Sequence, residues 1–281
     1  MSPLSSIDAP TVDAYAPREI ALRVSRLGVA KARSDTVSLL LLSVLAGAFI
    51  SLGALLFAVV VTDSALGFGP TRLLGGVAFS LGLVLVVVAG AELFTGNNLI
   101  AMAWASRLIS LRELLRSWVI VYAGNLVGAL LTVAMCFAGH VHSLGGGKVQ
   151  ETLLAIAHAK TALDPVAMLA LGVLCNALVC LAVWLTQAGH SVVDKVVGVV
   201  FPIAAFVALG FEHSIANMFF LPYALLIEGN TQLLSGAVLN LVVVTVGNIA
   251  GGTGLVAGVY WLAYLRRGST HRPRDAAEEQ P

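Results

Sequence analysis

Apolar residues fill this chain in long runs, not in the short alternating patterns of a water-soluble domain. A helix needs about 20 apolar residues to cross a bilayer core. Six runs meet that length, near residues 36–62, 72–106, 114–139, 165–188, 193–227 and 236–265. The second and fifth exceed one crossing and carry glycine and polar residues in their middles, which predicts two broken helices. Backbone that lacks helical hydrogen bonds survives at membrane depth only when protein covers it or a cavity adjoins it. The breaks therefore mark a transport path.

Residues 16–31 read differently. Pro17 suits a first helical turn and Glu19 its positive end, while Ile20, Val24 and Leu27 recur at helical spacing among basic residues. An amphipathic helix on the inner membrane face is expected. From Gly268 onward the chain is polar, and a disordered tail is expected. The expected division is a cytoplasmic N-terminal segment over 1–35, a transmembrane transport domain over 36–267 and a cytoplasmic tail over 268–281.

Composition supports a lipid solvent. Charged residues make up 11% of the chain and hydrophobic ones 58%, against about 25% charged in a soluble domain. A net charge of +1 gives no basic surface, so no nucleic-acid partner is expected. Cys136, Cys175 and Cys180 lie inside apolar runs without metal-ligand spacing, as packing residues do. No cleavable signal, cofactor or metal is expected. Lys and Arg set the orientation. They cluster in the N-terminal segment, in the loops after the second and fourth runs and in the tail; Arg72, Lys148 and Lys160 fall on the other side. Both termini are expected in the cytoplasm, which an even number of crossings permits.

The chain also repeats itself. Gly90-Ala-Glu92-Leu-Phe-Thr95-Gly-Asn97 and Gly210-Phe-Glu212-His213-Ser-Ile-Ala-Asn217 both read G-x-E-x-x-x-x-N, offset by 120 residues. Gly124-Asn125-Leu-Val-Gly128 and Gly247-Asn248-Ile-Ala-Gly251 both read G-N-x-x-G, offset by 123. Three crossings per half make the second half enter from the opposite side, so the repeats are inverted. The two breaks should meet near the midplane around one pore.

Glu92, Glu212 and His213 are the charged or titratable groups well inside the runs. Each such group in a membrane needs a partner or a function. The glutamates, and with them Asn97 and Asn217, occupy matching positions, which favours a structural role at the breaks. Asn125 and Asn248, beside small residues, suit interhelix hydrogen bonds. His213 breaks the symmetry, since its counterpart is Leu93. An imidazole there can give a hydrogen bond to an anion or relay a proton, and Thr95 can place a second donor at the opposite break. Phe79, Leu83, Leu93, Phe94 and Phe206 are candidates for apolar constrictions.

These strings, together with Cys175-Asn176-Ala-Leu-Val-Cys180 and Gly210-Phe-Glu-His213-Ser-Ile-Ala-Asn217-Met-Phe, resemble the formate/nitrite transporter family over about residues 20–266. The resemblance implies an aquaporin-like, all-α integral membrane fold assembled as a homopentamer, with one pore per protomer. It implies transport roles for His213, Thr95 and a pore-facing Asn176, an anion-attracting Lys160 in the extracytoplasmic vestibule, and the same five constriction residues. Expected partners are small monovalent anions, protons and membrane lipid. The expected location is a bacterial-type inner (plasma) membrane. The expected function is a channel or proton-coupled transporter for formate or nitrite. Carriage of hydrosulfide, acetate or lactate, or of a neutral solute, is the alternative; the Asn-Pro-Ala pair of water and glycerol pores is absent. An enzyme is not expected: Glu212-His213 lacks the second histidine of an H-E-x-x-H zinc site, because Asn217 stands at that position.

Overall fold

A computed structural model describes residues 14–266, which are mostly helical and contain no strands. Helix α1 (Pro17–Ala32) precedes α2 (Thr36–Val61), whose Asp35 cap accepts from the Ser38 N–H. Helix α3 (Phe68–Val84) widens into a π-turn (Leu85–Gly90) and stops. A 3₁₀ segment (Gly96–Ile100) and α4 (Ala101–Ala105) resume the same crossing. Helix α5 (Leu111–Ala138) starts on a capping box of Ser110 and Glu113. A 3₁₀ segment (Val141–Gly147) leads to α6 (Lys148–Thr161), and Asp164 caps α7 (Pro165–Thr186). Helices α8 (Val192–Ala208) and α9 (Ser214–Glu228) share the fifth crossing. The sixth consists of α10 (Leu234–Ile249), a π segment (Ala250–Gly258) and α11 (Val259–Tyr264).

Five stretches among the described residues are long and apolar enough to span a bilayer alone, and α8 with α9 completes a sixth crossing. Leucine and valine cover the outer faces of α2, α5 and α10, as a lipid solvent requires. The six runs and the two breaks fall where the hydrophobic pattern places them. Helix α6 was not expected. It buries Val149, Leu153 and Ala157, spaced one turn apart, against α9 and α10. The tail expected from 268 lies outside the described residues.

Helix α1 forms where the pattern puts it, with Glu19 accepting from the Ala16 N–H. Its buried Ile20, Val24 and Gly28 pack on the resumed part of the second crossing, so protein covers that side of the helix. Leu27 stays 42% exposed.

Residues at the repeat offset touch each other. The Tyr122 and Thr245 hydroxyls, 123 residues apart, hydrogen-bond at 2.9 Å. Ser80 Oγ lies 3.4 Å from the Val200 carbonyl, 120 residues on. Symmetry mates can meet only on the axis that relates them, so a two-fold axis passes between α3 and α8 and between α5 and α10. The G-N-x-x-G glycines explain themselves here. A Cβ at Gly128 would overlap the Val44 carbonyl of α2, and one at Gly251 the Val173 carbonyl of α7. Absent side chains let these helices approach closely, which is how membrane helices gain packing energy.

Gly128→Val and Gly251→Val should therefore each destabilise the protein by about 1–3 kcal/mol, as overpacking does. Thermal unfolding in detergent checks this. A midpoint equal to that of the parent would mean that the close contacts carry little.

Candidate functional site

The two breaks are built alike, bond for bond. Gly90 and Gly210 take φ +83° and +76°, a left-handed geometry that costs glycine little. Just beyond them the chain is extended, and its N–H groups need partners outside any helix. The Glu92 N–H donates to the Leu42 carbonyl of α2, and the Glu212 N–H to the Leu171 carbonyl of α7. The Phe94 N–H donates to Asn125 Oδ1, and the Ser214 N–H to Asn248 Oδ1, both at 2.9 Å. The Asn125 amide then donates to the carbonyls of Ser43 and Glu92. The Asn248 amide donates to those of Gly172 and Glu212. One asparagine per repeat thus ties a broken crossing to both neighbouring helices.

The glutamates sit behind this seam. Asn97 Nδ2 donates to Glu92 and Asn217 Nδ2 to Glu212, each at 2.7 Å. A lysine from outside the crossings completes each pair: Lys31 of α1 meets Glu92 at 2.9 Å, and Lys160 of α6 meets Glu212 at 2.8 Å. Buried carboxylates are tolerated when so partnered. Asn240 closes the second cluster by accepting from Asn217 and donating to the Lys160 carbonyl. Lys31 and Asn240 lie outside both repeated motifs, so motif comparison passed them over. Asking what neutralises Glu92 would have led to Lys31.

Two cavities approach the seam from opposite sides. The one beside α1, about 330 Å³, is lined by Lys31, Leu83, Glu92 and Leu93. The one beside α6, about 500 Å³, is lined by Arg72, Phe79, Lys160, Phe206, Glu212 and His213. The Phe79 and Phe206 rings meet edge to face at 5.6 Å, and Phe206 stacks on His213 at 5.8 Å. The constriction candidates thus divide between the two cavities, with Leu83 and Leu93 facing one and Phe79 and Phe206 the other. Phe94 lines neither, its ring packing on Trp118 and Tyr122 of α5.

His213 caps α9, its Nδ1 accepting from the Ala216 N–H at 3.1 Å. In the neutral ring this leaves the proton on Nε2, which lies 3.0 Å from the Thr95 hydroxyl. Both residues are buried. Thr95 and His213, one from each break, are brought together. Asn176 lines neither cavity. Its amide donates to Asn98 Oδ1 at 2.8 Å and to the Asn248 carbonyl at 2.7 Å. The Cys180 thiol, one turn on, donates to the Thr95 carbonyl. Asn176 and Cys180 therefore anchor the Thr95 loop to α7. No cluster of three metal-ligating side chains occurs among the described residues.

A family model described as formate/nitrite transporter matches residues 18–262. The formate channel FocA of Escherichia coli (strain K12) is 37% identical over 278 residues, covering 92% of this chain and 98% of that protein. A solved pentameric formate channel with formate bound is 41% identical, with TM-score 0.73 over 82% of this chain and 98% of that one. A solved FNT family ion channel is 28% identical, with TM-score 0.77 over 87% and 98%.

The asparagine seam yields a symmetric expectation. Asn125→Leu and Asn248→Leu each strip three hydrogen bonds and strand a buried N–H, so each should cost about 2–4 kcal/mol. Folded yield and thermal midpoint report it. A large loss in one variant and none in the other would contradict the equivalence of the breaks.

Proposed function

As the chain belongs to the formate/nitrite transporter family, we propose that it passes formate through a pore between the two breaks of each protomer. The protein is an aquaporin-like, multi-pass membrane transporter of small monovalent anions and not an enzyme. The related proteins do not favour a neutral-solute pore. Formate is the proposed physiological anion because one relative is a formate channel and another was solved as a pentameric formate channel with formate bound. On the same ground we assign this chain a homopentameric assembly, and the family resemblance supports a proposed location in a bacterial-type inner membrane. Its Lys and Arg distribution supports a proposed orientation with both termini in the cytoplasm and the α6 cavity facing outward.

The observation that carries the reading is the Thr95–His213 hydrogen bond, which joins the two breaks where the two cavities approach each other. An anion in such a passage loses its water, a large penalty without replacement donors. The Thr95 hydroxyl and the His213 Nε2–H are those donors. They bond to each other when no anion lies between them and turn to it when one arrives. Leu83, Leu93, Phe79 and Phe206 keep a hydrated ion from passing whole. Phe94 supports this wall through α5. Asn176 acts through the loop, holding Thr95 within reach of the imidazole.

A proton from the water outside, if it joins the carboxylate, removes most of the remaining desolvation cost. For His213 to supply it from Nε2, Nδ1 must be reprotonated, and Nδ1 faces the Ala216 N–H. The imidazole is thus first a hydrogen-bond donor, and relaying a proton requires the ring to move. Lys160 presents an ammonium at the outer mouth, though Glu212 cancels most of its field. Lys160→Ala, which leaves the Glu212 carboxylate without its ammonium partner at that mouth, should slow uptake mainly at low external anion.

His213→Phe and Thr95→Val should each cut formate flux in proteoliposomes about 10- to 100-fold, the worth of one hydrogen bond to an anion at about 1.5–3 kcal/mol. Thr95→Ser should keep most of it. Parental flux and parental pH dependence in His213→Phe would refute the role. A native mass spectrum showing any assembly other than five chains would refute the pentamer.

A further inference from the structure

The two vestibules differ in charge. In the α1 cavity the charged lining groups are Lys31 and Glu92, which neutralise each other at 2.9 Å. In the α6 cavity Lys160 and Glu212 do the same at 2.8 Å, but Arg72 remains. Its guanidinium pairs with no carboxylate among the described residues. Instead Nε donates to the Ala208 carbonyl at 3.1 Å and Nη2 to the Val207 carbonyl at 2.7 Å. Arg72 thereby clamps the last turn of α8 where it stops before the second break. These bonds occupy two of the five N–H donors of a guanidinium, and the residue is only half-buried.

We propose that Arg72 is the anion-recruiting cation of the outer vestibule and holds the incoming carboxylate before it reaches His213. The proposal rests on the anion-transport reading and the orientation given above. An arginine matches a carboxylate bidentately and stays charged. Its full charge exceeds the opposing half-charge of the α8 C-terminus that it caps. The rim acids Glu151 and Asp164 are exposed to water and do not line the cavity, so bulk salt screens them more than it screens Arg72. Phe57, whose ring lies 5.9 Å from the guanidinium, gives the charge an apolar wall. The inner vestibule has no such unpaired cation among the residues that line it, so anion capture is predicted to be asymmetric across the protein.

The test is formate flux in oriented proteoliposomes against external concentration, at two ionic strengths. Arg72→Gln is expected to raise the external half-saturating concentration about three- to tenfold, the scale of one unit charge across a few ångströms of partly screened medium. Arg72→Lys is expected to restore most of it, and high salt to narrow the gap. Half-saturation for formate loaded on the other side is expected not to move. Leu163→Glu, which adds an opposing charge to the same cavity and leaves the α8 clamp intact, is expected to raise the external value likewise, and it keeps the test open if Arg72→Gln fails to fold. Parental half-saturation in Arg72→Gln or in Leu163→Glu overturns the proposal. So does an equal rise in Arg72→Gln and Arg72→Lys that salt does not affect, which would leave Arg72 as a clamp only. Absence of formate flux in the parent protein would instead refute the transport reading itself.

Discussion

The structure depends on satisfying backbone N–H and C=O groups where two crossings stop being helical in the middle of a membrane. Water is not there to help, and an orphaned group costs several kcal/mol. Asn125 and Asn248 solve this by one device used twice: each side chain accepts from one extended N–H and donates to two carbonyls. The glycines around them exist to bring α5 onto α2, and the π segment of the sixth crossing onto α7, closely enough for that reach. Remove the amide and the extended segment has no reason to stay open, so the breaks depend on a structural bond at each asparagine.

The symmetry of this device separates scaffold from function. Glu92 and Glu212 keep matching partners in both halves, as structural groups do. The proposed transport groups lie where the halves differ. At the position of Leu93 the second half has His213, and at the position of Ile215 the first half has Thr95. Across the break these two residues, each unlike its mate, find each other at 3.0 Å. In the proposed mechanism a duplicated scaffold becomes a selective passage through side chains that differ between its halves.

This explains what could be read from the chain and what could not. The crossings follow from composition and the inversion from an odd number per half, while the breaks announce themselves by the glycine and glutamate of G-x-E-x-x-x-x-N. Helix α6 escaped because its apolar turn, Val149, Leu153 and Ala157, is too short to register as a membrane run. Asn176 was expected in the pore and instead joins Asn98 and the Asn248 carbonyl behind it. An amide in an apolar helix suits either place, and only the position of the second break decides. Lys31 counted toward orientation alone because its partner lies 61 residues away on another element.

Neutralising most of the charge at the mouths also follows from what conduction demands. A site that holds an anion strongly fills readily and empties slowly, so a passage must attract without trapping. Four bare cationic or anionic groups beside the breaks would either repel a small anion or hold it. Pairing Lys31 with Glu92 and Lys160 with Glu212 leaves short-range donors without a strong field. In the proposed mechanism one unmatched guanidinium in the outer vestibule supplies attraction where water still screens it, and the segment beyond relies on neutral donors. Attraction is thus greatest where escape is easiest and weakest at the narrowest point, the distribution a fast pore needs.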